Sequence, residues 1–145
     1  MRNLCFLTIF ILISCNKEND SLKIRNKNLD FEIKSFIKEV DSNSPCKSSY
    51  IMVEIYKDRI VISNSIPFFR KDYLGALSFS KSKIYFYSSV DFSNYLLLKD
   101  DSVGNFTIDS TYSNNCEPSM GRILIIDKKD RNKFHYLPPD RSDMQ

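Results

Sequence analysis

Histidine and glycine are scarce in this chain, with one and three copies among 145 residues. A single histidine leaves little for general acid and base chemistry near neutral pH. His135 stands between Phe134 and Tyr136 in a stretch that reads as a strand, where a partly buried structural imidazole is the expected role. Gly75, Gly104 and Gly121 are too dispersed to form a phosphate-cradling loop, and neither a Gly-x-Ser-x-Gly elbow nor a His-Glu-x-x-His motif occurs. Cys46, Cys116 and His135 lack the close spacing of zinc ligands. Asp100-Asp101 and the pair Asp127 and Asp130 fall at turns without the alternating oxygen ligands of a calcium loop. No cofactor or metal is therefore expected, and the chain reads as a non-enzyme, a hydrolase with a pair of carboxylates being the remaining catalytic alternative. Charge of one sign is lacking too. The net charge of +3 is spread over 21 basic and 18 acidic residues that intersperse, which excludes the clustered positive footprint of a nucleic-acid binder. There is no repeat at a fixed period.

A long apolar run is also missing, but a short one is present. After the basic start Met1-Arg2-Asn3, residues Leu4 to Ile13 are apolar except for Thr8, in the layout of a signal peptide. At about 1.5 Å per helical residue the run reaches only about 15 Å, half of a hydrocarbon core about 30 Å thick, so it is too short to span a bilayer. A core helix would be expected to alternate polar and apolar faces, whereas this run is apolar all round.

The run stops at Leu12-Ile13-Ser14-Cys15. This sequence resembles the lipobox of bacterial lipoproteins, with a branched apolar residue three before the cysteine and a small residue just before it. The resemblance implies that residues 1–14 are a cleaved signal peptide and that the Cys15 sulfur carries a diacylglyceryl group at the new N-terminus. Two or three acyl chains, at about 0.8 kcal/mol per buried methylene, hold a protein at a membrane essentially permanently. Lys17-Glu18-Asn19-Asp20 resembles in part the lysine-plus-acid signal of surface-exported lipoproteins of the Bacteroidota. Asn16 after the cysteine, by resemblance to the sorting rule of enteric bacteria, favours the outer membrane. The domain is expected on either its periplasmic or its outer side.

Residues 15–28 read as the lipid anchor followed by a flexible polar tether, with Leu22 and Ile24 isolated in it. Residues 29–145 read as one globular domain, a size suited to a single core. Leu29, Ile33, Phe36, Ile37 and Val40 line one face of a helix, which Asn28 would cap and the stretch from Ser42 to Pro45 would end. The polar face mixes acids and lysines, so a helix packed on the protein's own sheet is expected rather than one on a membrane. After Pro45 the pattern turns to period two. Tyr50–Tyr56, Arg59–Ser63, Gly75–Ser80, Lys83–Ser88, Phe106–Tyr112, Arg122–Asp127 and Lys133–Leu137 read as strands, and Asp91–Lys99 as either a short helix or a strand. Short connections predict antiparallel hairpins. The expected fold is α+β, with one N-terminal amphipathic helix packed on a curved antiparallel β-sheet of about six to seven strands.

Once Cys5 leaves with the signal peptide and Cys15 is acylated, Cys46 and Cys116 remain. In an oxidising compartment they are expected to pair as a disulfide, the alternative being two separate thiols. Tyr50 and Tyr56, with Tyr85 and Tyr87, share the strand side opposite Ile51, Val53, Ile55, Ile84 and Phe86. If uncovered, that side would offer an aromatic patch to a protein or glycan; if covered, the tyrosines sit at the margin of the core. Phe68 and Phe69, within Ser65–Arg70, read either as a protruding apolar loop or as a lid. The leading expectation is a membrane-anchored binding module for a protein or glycan, an immunity-type inhibitor being one form of it. A structural lipoprotein of an outer-membrane complex is the alternative.

Overall fold

Apolar side chains at a spacing of three and four residues need a second apolar surface to cover them, and here a sheet supplies it. The computed structural model describes residues 21–43, 50–99, 103–108, 122–129 and 134–137. Its elements are β1 (Leu22–Ile24), α1 (Lys27–Asn43), β2 (Tyr50–Ile55), β3 (Arg59–Ser63), β4 (Tyr73–Phe79), β5 (Ser82–Ser88), β6 (Leu96–Leu98), β7 (Ile123–Asp127) and β8 (Phe134–Leu137). The class is α+β, as expected. Among the described residues no helix is long and apolar enough to cross a membrane.

All five residues of the helix face are buried, against Ile51, Val53, Ile55, Ile60, Ile62, Ile84 and Phe86 of the sheet and Leu22 and Leu96 of the smaller strands. Each such side chain is worth roughly 1.5–3 kcal/mol, an upper estimate because unfolded chains are partly compact. The Asp30–Lys34 pair at 2.7 Å on the exposed face adds about 0.3–0.5 kcal/mol, so packing and not surface charge holds α1 in place. The cap is Asn26 instead of the expected Asn28. Asn26 Oδ1 accepts hydrogen bonds from the amides of Asn28 and Leu29, both at 3.0 Å, because it stands just before the first helical residue.

The single curved antiparallel sheet is corrected in three respects. First, the described residues form two sheets, a six-stranded one in the order β4-β5-β2-β3-β7-β8 and a two-stranded one of β1 and β6. Second, the larger sheet is mixed. The hairpins β2–β3, β4–β5 and β7–β8 are antiparallel as expected, but β5 lies parallel to β2, with Ile51 opposite Ile84 and Val53 opposite Phe86. Strand β5 has apolar or aromatic residues on both faces, Ile84 and Phe86 on one and Tyr85 and Tyr87 on the other, and it is buried on both. Such a strand belongs in the sheet interior, so residues 64–72 cross from β3 over the sheet and the β4–β5 hairpin pairs with the free side of β2. Third, residues 106–108 of the expected strand Phe106–Tyr112 are not in a strand, and 109–112 lie outside the described residues.

Leu22 and Ile24, read as part of the tether, instead form β1, whose partner β6 resolves the ambiguous Asp91–Lys99 stretch as a turn followed by a strand. Ser21 is held in place immediately before β1. Its amide donates to the Ala76 carbonyl at 3.2 Å, its Oγ accepts from the Ala76 amide at 3.1 Å, and its carbonyl accepts from the Lys99 amide at 3.0 Å. Gly75 and Gly104 make the slot. A Cβ added to either would come within 2.3 Å and 2.5 Å of Ser21 Oγ, respectively.

Candidate interaction surface

The face of the large sheet opposite α1 carries Tyr50, Met52, Tyr73, Tyr85 and Tyr87, packed as a second buried cluster. Among the described residues two stretches without regular structure pack over it, the crossing 64–72 and the strap 103–108. Phe106 of the strap meets Tyr73 edge-on at 5.1 Å between ring centroids and lies 5.8 Å from the ring of Tyr85. The Tyr85 hydroxyl donates to the Thr107 carbonyl at 2.9 Å, and that of Tyr87 to the Phe68 carbonyl at 2.9 Å. Burial pushes the phenol pKa values of Tyr73 and Tyr87 up to about 12.

The tyrosine patch therefore needs correction. Tyr50, Tyr85 and Tyr87 are buried, Tyr85 bonded to the strap and Tyr87 to the crossing, so they do not form an exposed patch. Tyr56 is half-buried and donates to Glu54 Oε1 at 2.9 Å. Phe68 and Phe69 are the part of that expectation which is exposed, at 55 % and 71 %, with Ile66 beside them at 60 %. Pro67 between them is buried, so the crossing is at once a lid and a platform.

Arg70 holds the platform down. Its Nε and one terminal nitrogen donate to the two Asp72 oxygens at 2.9 Å and 2.6 Å, and its other terminal nitrogen pairs with Glu54. The guanidinium also lies 5.1 Å from the ring centroid of Tyr87 and 5.9 Å from that of Phe68. Hydrogen bonding to Asp72, followed by Glu54, raises the pKa of this arginine above its ordinary value, so the group stays charged. A bidentate guanidinium fixes direction as well as distance. Phe69 completes the surface by packing edge-on against Phe106 at 6.0 Å, and Val103 and Ile108 of the strap are also exposed. The sequence reading includes Arg70 only as the end of the loop Ser65–Arg70 and assigns no role to Asp72. Glu54 offered a signal, as the one charged residue in the apolar run YIMVEI, since a carboxylate there needs a partner.

A cleft of about 190 Å³ lies between the start of α1 and the paired ends of β3 and β7, lined by Asn28, Glu32, Ile60, Tyr95, Ile126 and Lys128 among others. Burial pushes the Glu32 carboxyl up and the Lys128 amine down. Lys128 Nζ is already engaged, 4.9 Å over the Tyr95 ring and donating to the Tyr56 carbonyl. Among the described residues no group of three or more histidine, cysteine, aspartate or glutamate side chains could hold a metal ion. Cys15, Cys46 and Cys116 lie outside the described residues, and the backbone of His135 pairs with Ile125 in the β7–β8 ladder.

Comparison with family models, with curated proteins and with solved structures finds no match for this chain.

Proposed function

We propose that this chain is a lipoprotein of the bacterial outer membrane, anchored through Cys15, whose domain is a non-catalytic interaction module. The address rests on the resemblance of Leu12-Ile13-Ser14-Cys15 to a lipobox. The module reading rests on one observation: Phe68 and Phe69 stand largely in water on a segment fixed from below by Arg70 and Tyr87. A loose loop would fold such side chains back onto its own core. A fixed one presents them in a single arrangement, so little ordering entropy opposes contact with a partner surface.

The test is a photo-crosslinking residue placed at Phe69 or at Phe31 in the full chain, expressed in a Gram-negative host. Both side chains are exposed, but Phe31 is on the solvent side of α1. The expected outcome is a discrete envelope adduct from position 69 and none from position 31. No adduct at 69, or equal adducts at both, would remove the reading.

A further inference from the structure

We infer that the occupant of the Ile66, Phe68 and Phe69 surface is the lipid surface in which Cys15 is anchored, so that the domain lies on its own membrane. The inference rests on the lipoprotein reading and supplies the partner of the same surface. Three observations carry it.

The first is the length of chain between anchor and domain. A tether ending at residue 28 would reach about 40 Å. The slot formed by Gly75 and Gly104 grips Ser21, which leaves only residues 16–20 between the acylated cysteine and the domain. Six peptide steps span at most about 22 Å. Whatever lies near Ser21 is thus kept within reach of the headgroups.

The second is what lies near Ser21. Gly104, one wall of the slot, belongs to the strap 103–108, and Phe106 is two residues further on. The ring of Phe106 packs against that of Phe69. Anchor point, strap and aromatic platform therefore follow one another around the β4 edge, and Val103 and Ile108, exposed at 56 % and 46 %, continue the apolar surface along the strap.

The third is chemistry. The exposed apolar side chains are isoleucine, phenylalanine and valine, five in all against the exposed Asn105 and Thr107 of the strap, and Phe68 and Phe69 lack the hydroxyl with which a tyrosine platform would direct hydrogen bonds to a glycan. The guanidinium of Arg70, which would otherwise serve as a polar anchor for a protein, is turned onto Asp72 and Glu54. Lys71 next to the platform is exposed. Apolar side chains that reach into the acyl boundary, with a cation at headgroup level, make an interfacial membrane contact. Because the tether sets a high local concentration, even a weak contact of this kind stays occupied.

The chain contains no tryptophan, so one introduced indole reports alone. The full acylated protein, carrying Phe69→Trp or Phe31→Trp, is reconstituted into vesicles of phosphatidylethanolamine and phosphatidylglycerol with or without brominated acyl chains. The Phe69→Trp reporter is expected to emit further to the blue and to be quenched several-fold more strongly than the Phe31→Trp reporter. Equal, water-like emission from both would overturn the inference. The mass of the mature chain is measured on the same sample. Acylated protein with an unquenched reporter defeats this inference alone, whereas a chain without acyl groups defeats the lipoprotein reading and this inference with it. A crosslinked adduct at position 69 that proves to be protein instead of phospholipid would leave the interaction module standing and remove the membrane as its partner.

Discussion

Replacing Leu22 by alanine asks whether β1 belongs to the domain or to the tether. Leu22 is 2 % exposed and packs in the cluster beneath α1, although β1 has only three residues and, among the described residues, pairs with β6 alone. Truncating a buried leucine to alanine commonly costs about 2–5 kcal/mol, the upper values arising where the surroundings cannot close the cavity. Here the strand is short and lies at the start of the described domain, so its neighbours can close in, and about 2–4 kcal/mol is expected. With a urea dependence of about 1.5 kcal/mol per M for a domain of this size, the midpoint should fall by roughly 1.3–2.7 M. Leu97 on the partner strand is 55 % exposed, and Leu97→Ala should stay within about 0.5 kcal/mol of the parent. The assay is equilibrium urea unfolding of a soluble chain beginning at residue 16, followed by circular dichroism. If Leu22→Ala proves as harmless as Leu97→Ala, β1 is not docked. The short tether, and the membrane contact inferred from it, would then lose their basis.

Two further perturbations probe the slot and the tyrosine cluster. Gly104→Ala places a Cβ 2.5 Å from Ser21 Oγ and 2.6 Å from Ser21 Cβ, so it should lower the melting temperature by several degrees, yet cost little in a Ser21→Gly background that removes both atoms. A full penalty in that background would refute the slot. Gly75→Ala should be only partly rescued in the same way, because its φ of +155° remains unfavourable for a side chain. The cluster makes a prediction about pH. Tyr73 and Tyr87 have folded pKa values near 12 against about 10 unfolded, so below pH 10 both states hold the protons and stability is unaffected. Between about 10 and 12 the unfolded chain releases them first, and stability should fall by roughly 2 kcal/mol per tyrosine. Phenolate absorbance checks this, since all eight tyrosines ionising together near pH 10 in protein that is still folded would contradict it.

What could be read from the sequence was what is local and periodic. The face formed by Leu29, Ile33, Phe36, Ile37 and Val40 repeats often enough to specify both a helix and its buried side, and it is buried as expected. The three hairpins follow from alternation interrupted by short polar turns. The parallel pairing of β2 with β5 is a choice between distant segments, and nothing in either strand states it. Leu22–Ile24 and Leu96–Leu98 are three residues each, too short to display a period, and their pairing joins positions more than seventy residues apart. Asn26 and Asn28 are chemically identical caps, and only the backbone of the first turn selects between them.

The surface was less legible, for a related reason. Alternation shows that Tyr85 and Tyr87 share a face, but not whether that face is covered, and among the described residues the aperiodic stretches 64–72 and 103–108 pack over it. Fixing that cover holds Phe68 and Phe69 in one exposed arrangement, which under the proposed function has consequences for binding. Burying the exposed parts of Ile66, Phe68 and Phe69, on the order of 300 Å² in all, would be worth roughly 7 kcal/mol before ordering costs. In free solution, lost translational and rotational freedom alone would offset most of that. On the proposed lipid tether, with a reach of about 22 Å, much of this freedom would already be lost. At the millimolar effective concentrations of a short linker, occupancy needs only about 4 kcal/mol. On the proposed reading, then, the grip on Ser21 matters as much as the aromatic rings. Lengthening the tether by releasing β1 should weaken the membrane contact without altering any residue that makes it.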